Sequence, residues 1–342
     1  MRRIAIEEHF FTKEYVAYLR SRKDYPRLEV TRDAENHEAE WLCLAPSCAL
    51  PSGGPLLKGL LDVGEGRLEA MDEAGIDLQV LSLSFPGVEA LDPSDAPGLA
   101  RSVNDELFAV ITKYPTRYAG FAALAPQDPD AAAAELERAV RKLGFKGAMI
   151  HSHVRGEYLD EKKYWVIFEA AEKLGVPIYI HPRQPSPDMI KPYLSYPQLA
   201  TASWGFAAET GLHAMRLICS GLFDRCPGLT LILGHLGEAL PWWLWRLESR
   251  WMVAKGRGPS APLLRRPSQY IKENFYVTTS GMFWMPALTC CCSGLGADRI
   301  LFAVDHPYES SKEAVAFMDG ATLCDRDKEK IYHGNAEALL GL

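Results

Sequence analysis

Glu7, Glu8 and His9 follow directly on a short apolar run, Ile4-Ala5-Ile6. Two carboxylates and an imidazole at the end of a strand-like segment are costly to bury unless something compensates them, and a metal ion would. Glu7 and His9 are two positions apart, so on an extended backbone both side chains point the same way while Glu8 points elsewhere. The same arrangement recurs along the chain. Apolar runs end at His151 and His153, at His181, at His235, at Thr279 and Ser280, and at Asp305. If these runs are neighbouring strands, five of the nine histidines and two carboxylates face one point. The strongest ligand set is Glu7, His9, His181 and Asp305. Imidazole nitrogen with carboxylate oxygen suits zinc, manganese or iron better than calcium or magnesium, and two carboxylates cancel a divalent charge. Binuclear hydrolases on barrels commonly bridge their metals with a lysine at the end of the fourth strand, modified to a carbamate. Here that strand ends Ala148-Met149-Ile150-His151, which favours a single metal. His235, with Glu238 three residues on, suits proton transfer, because a carboxylate can fix the tautomer and raise the basicity of an imidazole. Plainer readings exist for each residue: a hydrogen-bonded structural histidine, a capping turn at Asp305-His306-Pro307, or Glu238 as cap of the helix through Trp242 and Trp245.

The elements that must position these residues are legible as periodicity. Eight β-rich apolar runs stand at 4–6, 78–83, 118–124, 147–150, 177–180, 229–233, 275–278 and 300–304, and helical patterns stand at 66–74, 130–143, 161–174, 240–251 and 327–340. Strands alternating with helices imply parallel pairing through right-handed crossovers, and eight such units close into an α/β fold, the (β/α)8 TIM-like barrel. In that fold the chemistry gathers at the C-terminal strand ends. No linker divides residues 1–342, so one domain is expected, with the Pro/Gly-rich stretch 45–55 as a long surface insertion after the first strand.

Composition narrows the partners. The net charge of -7 and scattered basic residues leave no footprint for nucleic acid or a membrane surface, so a small molecule is the expected partner. The run before Glu7 is too short for a signal peptide or a spanning helix, and a cytoplasmic location is expected. The eight cysteines show no paired C-x-x-C spacing and read as small buried hydrophobes.

Longer motifs carry a resemblance. Glu7-Glu8-His9-Phe10, "APQDPD" from Ala125, "HPR" from His181, "GFAAETGLHAMRL" from Gly205, "GLFDRCPGL" from Gly221, "GHLGEALP" from Gly234, "TTSG" from Thr278 and "DRILFAVDHPYE" from Asp298 run in order over essentially the whole chain. Together they resemble the amidohydrolase-type decarboxylases, a group that includes γ-resorcylate, 2,3-dihydroxybenzoate and 5-carboxyvanillate decarboxylases. "LLDVGEGRLEAMDEAGID" from Leu60 and "HSHVRGEYLDEKK" from His151 are most similar to the carboxyvanillate branch, whereas Arg183 matches the resorcylate type. The resemblance implies non-oxidative loss of carbon dioxide from an aromatic acid with an ortho hydroxyl. It also implies one divalent ion per subunit, Mn2+ or Zn2+, held by Glu7, His181 and Asp305, with His9 as a further ligand or near neighbour. A homo-oligomer, dimer or tetramer, is implied too. The carboxyvanillate type reaches its substrate with an arginine from a neighbour's long loop, and 41–59 here contains none.

An aryl carbanion is poorly stabilised by any side chain, so the ring carbon must be protonated before the carboxylate leaves. Asp305 is the candidate proton donor. His235, supported by Glu238, takes the phenol proton or hydrogen-bonds the phenolate. Arg246 and Arg183 are candidates to grip a carboxylate or ring oxygen. Phe10, Trp204, Phe206 and Tyr308 are candidate aromatic walls. Two rivals remain open at this level: a mononuclear metal-dependent hydrolase of an amide or lactone, and a non-catalytic binder of aromatic acids.

Overall fold

The computed structural model describes residues 1–32, 38–45, 48–254 and 263–342. Its strands are β1 (Ile4–Phe10), β2 (Arg27–Arg32), β3 (Glu38–Ala45), β4 (Cys48–Pro51), β5 (Leu78–Leu83), β6 (Tyr118–Gly120), β7 (Ala122–Ala123), β8 (Ala148–Ile150), β9 (Ile178–Ile180), β10 (Leu231–Leu233), β11 (Phe275–Thr278) and β12 (Ile300–Leu301). Two sheets are parallel throughout, in the orders β1-β5-β6 and β12-β11-β10-β9-β8-β7. All eight anticipated runs therefore hold strands. The third is broken at Phe121, whose N–H donates to Leu81 O at 2.9 Å while the next N–H, of Ala122, donates to Gly147 O at 2.9 Å. That run thus links the two parallel sheets. At their other ends Ile6 N–H donates to Phe302 O (3.2 Å), Asp305 N–H to Glu7 O (3.0 Å) and His9 N–H to His306 O (2.8 Å).

The reason for near-continuous apolar strands is burial on both faces. Met149, Tyr179 and Ile232 belong to one apolar cluster with Ile4, Ile6, Val80 and Phe121. Their chain neighbours Ala148 and Ile150, Ile178 and Ile180, and Leu231 and Leu233 point the other way, into a larger cluster shared with helix residues such as Leu136, Phe168 and Leu217. Between strands run the helices Glu65–Ala74, Ala96–Lys113, Pro129–Leu143, Trp165–Leu174, Gly205–Cys219, Leu240–Ala254 and Met285–Leu295. Local chemistry sets their ends. The Asp128 side chain accepts from Ala131 N–H (3.0 Å), Pro129 opens the helix, and Gly144 ends it in a left-handed conformation. The pattern at 327–340 is helical but interrupted by a wider turn at Lys330–Gly334.

The insertion after β1 is more ordered than a surface excursion. β2, β3 and β4 form a separate antiparallel sheet, with Arg27 opposite Cys43 and Leu42 opposite Leu50, so part of 45–55 is strand. Leu28, Leu42 and Leu44 of this sheet are buried and join the larger cluster.

Candidate active site

β1 carries a fault that aims its chemistry. Its pairing with β5 shifts register between Ala5 and Glu8. Ile4 and Ile6 face the inner cluster, yet Glu7 follows them inward, its Oε2 accepting hydrogen bonds from the hydroxyls of Tyr179, Thr278 (3.0 Å) and Ser280. Strand irregularities re-aim side chains in this way near functional sites. Glu8 turns aside as expected. Its Oε1 accepts from Val304 N–H and its Oε2 from Gln79 Nε2, both at 3.0 Å, which stitches β1 to both neighbours. Burial pushes the Glu8 carboxyl well above its ordinary range, with Val304 N–H opposing. Arg67, fully buried, donates to His9 O at 2.6 Å and holds the end of β1.

Glu7, His9, His181 and Asp305 each turn one ligand atom toward a common point, and these atoms lie within 4.8 Å of one another. Three of them, Glu7 Oε1, His9 Nε2 and Asp305 Oδ1, are buried without a hydrogen-bond partner. His9 Nε2 and Asp305 Oδ1 approach to 3.0 Å without the directionality of a hydrogen bond. His181 Nδ1 donates to Pro182 O (2.8 Å), and because a carbonyl only accepts, its Nε2 is left with a lone pair, 3.5 Å from Glu7 Oε1. Burial, with His9, His151 and His235 nearby, pushes the His181 imidazole well below its usual value, so it is the neutral form a metal requires. Orphaned, convergent donors of two nitrogens and two carboxylates fit one divalent cation.

Beside the cluster, His235 Nδ1 donates to Glu238 Oε1 at 2.8 Å, and His235 Nε2 faces Asp305 Oδ2 at 3.6 Å. The backbone from His235 to Ala239 makes a left-handed turn, with φ of 51°, 55°, 80°, 52° and 64°. Four of those five residues carry a Cβ, a conformation disfavoured by roughly 1–2 kcal/mol per residue, and it brings imidazole and carboxylate together. Burial disfavours the charged imidazole, but Glu238, Asp305 and Glu7 outweigh it and hold His235 well above its ordinary value. Gly281 leaves room here, since a Cβ there would lie 3.0 Å from His235 Cδ2.

The profile of the family described as Amidohydrolase matches residues 63–342. The chain belongs to the amidohydrolase family. The γ-resorcylate decarboxylase of Polaromonas sp. (strain JS666) is 38% identical over 352 residues, spanning 99% of this chain and 98% of its own. The crystal structure of 5-carboxyvanillate decarboxylase from Sphingomonas paucimobilis superposes with a TM-score of 0.90 at 36% identity, covering 100% of this chain and 99% of that one. A dihydroxybenzoic acid decarboxylase from Polaromonas sp. JS666, solved with bound manganese and the inhibitor 2-nitroresorcinol, gives 0.85 at 38% identity, covering 100% and 97%.

Other anticipated residues of this amidohydrolase site fall in varied places. His153 is not aimed at the cluster: its Nε2 donates to Gln184 O (3.1 Å) and its Nδ1 accepts from Gly156 N–H (3.1 Å), and burial pushes it down to about 2. Phe10 is a correction. It is 2% exposed and packs into the outer core, because strand alternation turns it away from Glu7 and His9. Tyr308 is a rim residue, its ring 5.8 Å from that of His9 and its hydroxyl 2.9 Å from Ser84 Oγ. Phe206 packs against Phe85 at 5.4 Å, and Trp204 is exposed just before it. Arg183 is buried and donates to His153 O (2.8 Å), with Glu89 and Glu209 nearby countering the burial that weakens its charge. Arg246 is exposed on the helix Leu240–Ala254. Thr279 ties β11 to β12 through Ala303 O and N–H, while Ser280 reaches Glu7. Sequence reasoning missed Tyr179, Thr278 and Glu89. Tyr179 and Thr278 could have been suspected as polar hydroxyls inside otherwise apolar strands.

Proposed function

We propose that this chain is a metal-dependent, non-oxidative decarboxylase of an aromatic carboxylic acid bearing an ortho hydroxyl. The observation that carries the reading is the convergence of Glu7, His9, His181 and Asp305 on one point, next to the imidazole of His235 paired with Glu238. The full-length relatives point in the same direction: the γ-resorcylate and 5-carboxyvanillate enzymes are decarboxylases, and less supports the hydrolase.

Glu7, His9, His181 and Asp305 would hold one divalent ion, which when bound supplies positive charge to anchor the acid group and its ortho oxygen. Manganese is preferred over zinc on the strength of the manganese-bound relative. The chain's own groups handle the proton. Glu238 on Nδ1 leaves His235 Nε2 as a donor, able to bond the phenolic oxygen or to pass a proton to Asp305 Oδ2 across their 3.6 Å contact. Asp305 delivers that proton to the ring carbon bearing the carboxylate. The bond to the carboxyl carbon then breaks, its electron pair returns to the ring, and carbon dioxide leaves. Buried Phe85 and half-buried Phe206 limit water on one side, and exposed Arg246 is the candidate guanidinium for a second oxyanion.

The surrounding architecture belongs to the same reading. Residues 1–342 form one domain, an eight-stranded (β/α)8 barrel closed through Phe121 and through the hydrogen bonds of 302–306 to β1, with the antiparallel sheet as its insertion. The exposed indoles of Trp242, Trp243 and Trp245 support a homo-oligomer, dimer or tetramer. Free thiols at Cys219, Cys226, Cys290, Cys291, Cys292 and Cys324 suit the cytoplasm. The test of function is direct: manganese-loaded protein is offered hydroxylated benzoic acids, vanillate-type diacids, and simple amides and lactones. Release of carbon dioxide with the matching phenol is expected; hydrolysis without carbon dioxide would overturn the reading.

A further inference from the structure

Among the buried imidazoles that the proton path and the ligand cluster do not use, His151 has a ring nitrogen without a hydrogen-bond partner. His151 closes β8 and is 2% exposed. Its backbone N–H donates to Glu89 Oε1 at 2.8 Å, and its Nδ1 lies 3.3 Å from both Oε1 and Oε2. A carboxylate only accepts, so the proton sits on Nδ1 and Nε2 presents a lone pair. That Nε2 is buried without a partner. The ring stands edge-on to His181 at 4.9 Å, one imidazole removed from the ligand cluster, with Phe85 at 6.4 Å. Gly87 makes the pairing possible. At φ +69° it has no Cβ, which would lie 2.0 Å from Glu89 Oε2 and 2.3 Å from His151 Nδ1, and Tyr15 OH fixes its carbonyl at 2.7 Å. Four residues thus combine to fix one unpartnered acceptor on a ring beside the ligand residue His181.

We propose that His151, oriented by Glu89, determines specificity by accepting a hydrogen bond from a second ring hydroxyl of the aromatic acid, one not engaged at the cluster. This rests on the decarboxylase reading for the identity of the ligand. An acceptor built for an O–H rejects the analogue without one, because its own lone pair is then stranded.

Binding of salicylate, of the four dihydroxybenzoates with a hydroxyl ortho to the acid, and of their methyl ethers at the second hydroxyl is measured by calorimetry on manganese-loaded protein, with carbon dioxide followed in parallel. One dihydroxybenzoate is expected to bind about tenfold or more tighter than salicylate and than its own ether. His151→Leu abolishes that advantage and leaves salicylate within about twofold of the parent. Glu89→Gln keeps the acceptor for the His151 N–H but offers an amide N–H to Nδ1. The proton then moves to Nε2, the ether becomes tolerated, and the hydroxyl-over-ether ratio shrinks. The proposal is overturned if the parent shows no such preference, if folded His151→Leu retains it, or, should that variant not fold, if Glu89→Gln leaves the ratio unchanged. A preference that behaves as expected without any carbon dioxide released would instead overturn the decarboxylase reading alone.

Discussion

Asp305 combines two duties, lone pair for a cation and proton for the substrate, and substitution separates them. It sits at φ +79°, a conformation asparagine also tolerates, so Asp305→Asn should fold. With manganese content verified by elemental analysis, its rate of carbon dioxide release should fall by about 10²–10⁴-fold, the usual share of a general acid; retention within about tenfold excludes Asp305 as donor. A second residue-scale prediction concerns Glu209, which accepts from Ser152 Oγ at 2.9 Å and which burial raises to about 7, against opposition from Ser152 and Arg183. A carboxyl raised in the fold keeps its proton where the unfolded chain has lost it, so this contribution to stability is complete below about pH 4.5 and drains away as pH rises through 7. Glu209→Gln should remove that slope, worth roughly 3 kcal/mol between those limits. Denaturant titrations at pH 5 and pH 8 check it: the variant must gain on the parent at the higher pH. The ligand residues were legible because polar groups at the ends of apolar runs, two apart on β1, violate burial unless they share a task. Glu89 was not, since its partner His151 lies 62 positions away and only Gly87 lets them close.

Periodicity exposed the parallel strands because their two buried faces leave almost no polar interruption. It was silent on the antiparallel insertion, whose first strand, β2, sets only Leu28 and Val30 among arginine, glutamate and threonine, and it could not see that Phe121 divides one run between two sheets. Least readable was the turn from His235 to Ala239, since only Gly237 among the five advertises a left-handed backbone. The turn carries its own prediction. Ala239 is exposed at φ 64° and loses no packing on truncation, so Ala239→Gly should stabilise the fold by about 0.5–1 kcal/mol. Chemical denaturation measures it, and turnover should be unaltered, because Ala239 contributes no side chain to the His235–Glu238 pair.

For the molecule as a whole, the cation and the fold are linked thermodynamically. Ligand atoms that converge only in the folded chain make binding stabilise the native state, by about 2.7 kcal/mol at a hundredfold excess of free metal over Kd. Chelation should therefore lower Tm as well as abolish carbon dioxide release, and manganese should restore both; a Tm indifferent to metal contradicts a site built from these residues. Among the described residues no helix is long and apolar enough to cross a membrane. The carboxylate of Glu7 finds its hydroxyl donors on β9 and β11, and Thr278 lies 271 positions further along the chain. During translation the ribosome releases Glu7 long before those donors exist, so the pocket can mature only when nearly all of the polypeptide has emerged. Nascent fragments stalled before Thr278 should accordingly fail to retain manganese, however well their early helices have formed.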